Sequence, residues 1–160
     1  MKTFDVIALG ELNVDLILNR IAGFPEVGKE IFARDMICTL GSSTAIFAAN
    51  VSALGARTAF AGMIGRDAFG ELVRGSLEAR GVDTRYVIEA ADRATGVTVV
   101  MSYGEDRANV TYPGAMEALR FADLDPEIFL SARHIHLSSL FMQPGLLADI
   151  VPILRAAHDG

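Results

Sequence analysis

Asn13 and Asp15 stand just beyond an apolar run, Phe4 to Leu9, that stops at Gly10. A continuous apolar run is the pattern of a strand buried on both faces. Polar groups at the carboxyl end of such a strand lie where open α/β sheets bind ligands. A second candidate stretch is Gly41-Ser42-Ser43-Thr44, a flexible turn followed by hydroxyls that can cap a helix. A helix N-terminus there presents backbone N–H groups to a polar ligand. Ser138 and Ser139 end a later apolar strand at the same ligand edge, and Arg107 sits by a hairpin turn, placed to reach a carboxylate or phosphate. His134 and His136 are two residues apart on that later strand and share a face. No third ligand accompanies them, so structural roles are predicted and no metal site.

These groups need elements to hold them. Ala45 to Leu54 reads as a helix with Gly55 as its C′ stop, and Thr58 to Ile64 as a strand. Asp67 caps a helix from Ala68 to Arg80, which Gly81 ends. Gly62, Gly65 and Gly70 are read as serving turn geometry and close packing. Val97 to Tyr103 and Ala108 to Tyr112 form a hairpin around Gly104-Glu105-Asp106. Asp125-Pro126-Glu127 starts a further helix, Ile135 to Leu137 is a buried strand, and Pro144 opens a final helix through about Ala157. Strands near 4–9, 58–64 and 134–138 alternate with helices, which predicts a parallel sheet with right-handed crossovers. Strands near 16–18, 31–38, 97–103 and 108–112 lack intervening helices and predict a separate small sheet, a flap over the ligand end. Three core strands are few for a doubly wound sheet, so an unfinished domain is expected.

Composition narrows the partners. The 160 residues are 51% hydrophobic and 21% charged, a globular balance, and no internal repeat or low-complexity linker interrupts them. A net charge of −6 argues against a nucleic-acid partner, which needs a basic face. Cys38 is the only cysteine, so no disulfide forms within the chain and a reducing cytoplasm is expected. Asp5, Glu11 and Asp15 interrupt what a signal-peptide core would need, and no apolar run has the length of a membrane span. Gly10 is followed by Glu11-Leu12-Asn13, not by a G-x-G-x-x-G turn, so a dinucleotide fold is a weak reading.

Several motifs occur in order: Gly10-Glu11-Leu12-Asn13-Val14-Asp15; Gly41 through Leu54-Gly55; Gly62-x-x-Gly65-Arg66-Asp67-x-x-Gly70; Gly81-Val82-Asp83; Thr95-Gly96; Tyr112-Pro113-Gly114-Ala115; and His136-Leu137-Ser138-Ser139. Together, over essentially all of 1–160, the chain resembles the N-terminal half of the ribokinase-like (PfkB) carbohydrate kinases. The resemblance implies an α/β fold, a three-layer α/β/α sandwich with a small β-sheet lid. It implies ATP-dependent phosphorylation of a hydroxymethyl group on a sugar, nucleoside or sugar acid, with ATP and Mg2+ as cofactors.

By the family pattern Asp15 binds substrate hydroxyls with Asn13 beside it, since one carboxylate accepts from two neighbouring hydroxyls. Gly41, Ser42 and Ser43 approach the substrate, and Arg107 and Ser139 are added to that set. The lid closes over the sugar, excludes water and forms a homodimer interface. The family's catalytic base, anion hole and most of its ATP pocket belong to a C-terminal half. The chain alone is therefore expected not to catalyse transfer, and the alternative is a non-catalytic sugar- or nucleoside-binding module. Two positions depart from the pattern: Ser42 replaces a second glycine and Ile46 an asparagine, which points to a different or more apolar substrate.

Overall fold

The computed structural model describes residues 2–160. In chain order its elements are β1 (Phe4–Leu9), β2 (Asn13–Asn19), β3 (Asp35–Leu40), α1 (Ser43–Ala53), β4 (Thr58–Gly65), α2 (Ala68–Glu78), β5 (Asp83–Ala90), β6 (Gly96–Tyr103), β7 (Asp106–Tyr112), α3 (Glu127–Ser131), β8 (Ala132–Leu137), α4 (Pro144–Ala148) and α5 (Ile150–Asp159). Short 3-10 turns at Gly114–Ala118, Phe121–Asp123 and Leu140–Met142 complete the connections.

The main sheet has the order β5-β4-β1-β8, with every neighbouring pair parallel. It is covered on both faces because its central strands are apolar on both. Along β4, Ala59, Ala61 and Met63 join Ile7, Leu9, Ile128, Phe129, Leu146 and Ile153 on one side. Phe60 and Ile64 join Ala8, Ala45, Ala48, Val73 and Leu77 on the other. The result is three layers, with α1 and α2 against one face and α3 to α5 against the other. Ala45, Ala48 and Ala49 are buried, so the small face of α1 serves close helix-to-sheet packing.

The main sheet has four strands where the sequence pattern predicts three. The added strand, β5, lies at an edge. Thr84, Tyr86 and Val87 are buried, while Arg85 and Glu89 face solvent, so its apolar signal is diluted. The final helix is also corrected: it breaks at Asp149 into α4 and α5. Pro152 explains the break, because it has no N–H for the carbonyl of Ala148 and its ring crowds that group. Asp149 instead accepts from Arg120 Nε at 2.9 Å and from the backbone N–H of Phe121 at 3.1 Å.

The second sheet, order β3-β2-β6-β7, is the predicted lid. Its strands differ in extent from those expected. β2 begins at Asn13, and β3 begins at Asp35 where a start near 31 is expected. The antiparallel register Val14↔Leu40 through Asn19↔Asp35 fixes that start. The hairpin turn needs only Gly104 and Glu105, Gly104 supplying a φ of +58°.

Asp67 ties the lid to the main domain. Its carboxylate accepts from Gly70 N at 2.8 Å, capping α2, and from Thr95 N at 2.8 Å just before β6. Burial pushes this carboxyl up, but the bonds from Thr95 and Gly70 prevail and hold it below the usual range. Asp67→Ala is expected to cost about 1–2 kcal/mol in urea denaturation at neutral pH. A carboxyl lowered by folding stabilises above its unfolded pKa, and that contribution is lost as pH falls through the folded one. The gap between wild type and variant should therefore close in acid.

Candidate functional site

A cleft of about 230 Å³ lies between the inner face of the lid and the carboxyl end of β1. Its floor is Glu11, Asn13 and Asp15, and one wall is Ser42 and Ser43 at the start of α1. Thr98 on β6 and Arg107, Asn109 and Thr111 on β7 form the roof, and Ser139 and Met142 close the far end. Asn13, Asp15, Ser42, Ser43, Arg107 and Ser139 thus come together as the sequence predicts. Gly41 belongs with them through close approach: a Cβ there would collide with Asp15 Oδ1 and Asn13 Nδ2. A larger hollow of about 410 Å³, lined by Phe121, Phe129 and Leu130, is apolar apart from Asp159 and has few groups to orient a polar ligand.

Asp15 is aimed by a chain of side chains running across the lid. Thr111 and Thr98 share a hydrogen bond of 3.0 Å, and Asn13 Nδ2 donates to Thr98 Oγ1 at 3.1 Å and to Asp15 Oδ1 at 2.9 Å. Among the described residues Asp15 Oδ2 has no partner, so one carboxylate oxygen is left for a ligand. Burial raises the Asp15 carboxyl above its usual pKa, against the bond from Asn13 and the charge of Arg107, both of which lower it.

Glu11 was not among the predicted site residues. It is 2% exposed, and its carboxylate accepts from Ser43 Oγ at 3.0 Å, Thr44 N at 3.3 Å, Thr44 Oγ1 at 2.6 Å and Gln143 Nε2 at 3.2 Å. The sequence signal was present: an acidic residue beside a strand-ending glycine, with a hydroxyl-rich helix start elsewhere to receive it. This narrows one expectation. Two amides of the α1 N-terminus are already bonded, Glu11 taking Thr44 N at 3.3 Å and Ser42 Oγ taking Ala45 N at 2.9 Å. What reaches the ligand side is hydroxyl: Ser43 Oγ lies 2.7 Å from Ser139 Oγ and 3.2 Å from Ser138 Oγ.

Ile46, the second departure from the family pattern, lines a separate hollow with Thr39 and Leu40 and not the cleft. Of the two histidines, His136 stacks on Phe47 with ring centroids 3.7 Å apart. Burial pushes its pKa down, helped by His134.

The architecture is thus that of an α/β domain in which lid strand β2 sets a carboxylate in the floor of a cleft with a hydroxyl-bearing wall. Residues 3–158 match the pfkB family carbohydrate kinases, and the chain belongs to that family. A nucleoside kinase of Methanothermobacter thermautotrophicus is 29% identical over 136 residues, covering 84% of this chain and 44% of the relative. The structure of Halothermothrix orenii fructokinase superposes with a TM-score of 0.81 at 24% identity, over 97% of this chain and 54% of that one. Xylella fastidiosa fructokinase with bound ATP gives 0.81 at 22% identity, over 99% and 49%. The fold is ribokinase-like. The chain spans about half the length of these relatives.

Ser42 offers a test of the α1 start. Its φ of +68° is costly for a residue with a Cβ. Its hydroxyl compensates, donating to Glu11 O at 2.7 Å and capping Ala45 N. Ser42→Ala keeps the strain and loses both bonds, while Ser42→Gly loses the bonds and the strain. The glycine variant should be more stable than the alanine variant by about 1–2 kcal/mol in chemical denaturation.

Proposed function

We propose that this chain supplies the substrate-binding part of an ATP-dependent kinase that phosphorylates a hydroxymethyl group of a sugar or related small molecule. The observation that carries the reading is the Asp15 carboxylate, buttressed by Asn13 and Thr98, with one oxygen free above Ser43 and Ser139. A carboxylate held this way accepts from two adjacent hydroxyls and fixes the orientation of a polyol. Serine hydroxyls on the opposite wall donate or accept as the sugar requires. Gly41 lets the backbone come close enough for this. The lid over the site excludes water from the acceptor hydroxyl, which a kinase must do to avoid hydrolysis.

ATP use is supported by family membership and by the nucleotide seen in the Xylella fructokinase. The described residues do not themselves fit a triphosphate. Thr44 N and Ala45 N at the start of α1 are engaged by Glu11 and Ser42, and the cleft contains a single cation, Arg107. In this reading ATP and Mg2+ are held by other groups, and residues of this chain act only on the acceptor: they bind it, orient it and keep it dry. The 160-residue chain alone binds acceptor without turning it over. It works in the cytoplasm, with neither nucleic acid nor membrane as partner.

The lid also proposes a partner. Strand alternation puts Asn13 and Asp15 of β2 on the cleft face, and Val14, Leu16 and Leu18 on the other. Register extends that outer face through Met36 and Cys38 of β3, Val97, Val99 and Met101 of β6, and Val110 and Tyr112 of β7. Met36 is 62% exposed, Val110 61% and Tyr112 56%. At the Val14 and Leu16 end this face packs with Phe69 and Leu72 of α2, but the exposed remainder around Met36, Val110 and Tyr112 calls for cover, and a second copy of the chain supplies an identical patch.

Calorimetric titration with a panel of sugars and nucleosides, followed by assay with ATP, tests the acceptor reading. Wild type should bind at least one hydroxylated acceptor, and Asp15→Asn should weaken it by about 100-fold, the value of a lost charged hydrogen-bond pair. Binding that survives in Asp15→Asn would sink the assignment. For the partner, Val110→Glu should convert a dimer to a monomer in sedimentation velocity with an unchanged circular dichroism spectrum.

A further inference from the structure

We propose that the acceptor carries an anionic substituent, a carboxylate or a phosphate, which Arg107 takes at the lid while Asp15 takes hydroxyls at the floor. This rests on the acceptor-binding reading of the same cleft.

The argument begins with strand alternation. β7 pairs with β6 through Ser102↔Arg107, Val100↔Asn109 and Thr98↔Thr111. Arg107, Asn109 and Thr111 therefore share the cleft face, while Ala108, Val110 and Tyr112 take the apolar one. Arg107 is aimed inward by the same register that places Thr111 on Thr98, so its position is not that of an arbitrary turn residue.

Charge then limits what it does there. Arg57, Arg74, Arg85 and Arg120 each have a carboxylate within 2.9 Å. Arg107, like Arg34, Arg80 and Arg155, has no side-chain ion-pair or hydrogen-bond partner among the described residues, and of these four it alone lines the cleft. Its charge acts on Asp15 only through space. The cleft also contains two carboxylates, and the chain as a whole is acidic. An anionic acceptor meets repulsion everywhere in such a site except beside Arg107.

The other natural seat for an anion, the helix N-terminus, has its Thr44 and Ala45 amides bonded already and lies against a carboxylate. Glu11 holds Thr44 N and the side chains of Ser43, Thr44 and Gln143, so a second negative group there would sit against a buried carboxylate. A neutral sugar hydroxyl accepts from a guanidinium but leaves its charge uncompensated. A carboxylate or phosphate uses its planar fork of donors bidentately. The site is thereby polarised: polyol end on Asp15 and Ser43, anionic end under Arg107.

Calorimetry on the 160-residue chain with D-fructose, D-gluconate and D-fructose 6-phosphate tests this. One of the anionic probes should bind at least about tenfold more tightly than fructose, and which one does so tells carboxylate from phosphate. Arg107→Gln should erase that preference, while Arg107→Lys should restore part of it. Asp15→Asn should weaken all three. Equal or tighter binding of fructose by wild type overturns the anionic assignment alone, as does a preference that persists in Arg107→Gln. Anion binding indifferent to Asp15→Asn places the anion outside this cleft and also overturns it. If none of the three probes binds, the anionic assignment fails, and the acceptor reading falls only if the wider panel of sugars and nucleosides is silent too.

Discussion

The arrangement of the site depends on one buried carboxylate. Glu11 leaves the end of β1 and enters the core at 2% exposure, where an unpartnered carboxylate would be untenable. It is satisfied by donors from two distant segments, Ser43 and Thr44 of α1 and Gln143 at the start of α4. Those bonds define the angle at which α1 begins and the position of the chain after β8. Gln143 extends the clamp by donating to the carbonyls of Ser138 and Ser139 as well. Ser43 and Ser139 therefore stand 2.7 Å apart because each is anchored to the same acid.

From that anchor the chain turns directly into the lid. Only three residues separate Leu9, in the main sheet, from Asn13, in the second one. The two sheets meet at residues that line the cleft, and the short connection leaves them little freedom. Asp67 makes a comparable tie on the other side, joining the α2 start to Thr95 before β6. The lid is thus held at two points, each built on an acid accepting from backbone or side-chain donors. Neither tie depends on a long, solvent-exposed ion pair, which would contribute little.

Much of this was legible in the sequence where one residue type has one physical use. The apolar run Phe4 to Leu9 had to be a two-faced strand, and Asp67 ahead of an amphipathic stretch had to be a cap. Asn13, Asp15, Ser43 and Ser139 were readable because they follow strand ends or open a helix, where open sheets bind ligands. The missing parts share a different property: their meaning is set by distant residues. Glu11 looks like any polar residue after a strand until Thr44 and Gln143 are brought to it. β5 hides because an edge strand buries few of its residues. The break at Asp149 follows from Pro152, three residues further on, acting through a carbonyl that no local pattern displays. Ile46 illustrates the converse, since a family position carried over residue by residue lands outside the cleft in this lid geometry.

The lid strands finally show why the two faces of the lid are bound together. Period two gives β2 an inner row of Asn13 and Asp15 and an outer row of Val14, Leu16 and Leu18. A slip of one residue would exchange the rows, putting valine over the floor and a carboxylate on the apolar face. Opposing that slip are the bond from Asn13 to Thr98, the bond from Gly41 N to Asn13 O at 2.9 Å, and the contact of Gly41 with both polar side chains. Each of these is lost in any other register. The groups that orient Asp15 toward the cleft are therefore the same groups that keep the outer face uniformly apolar.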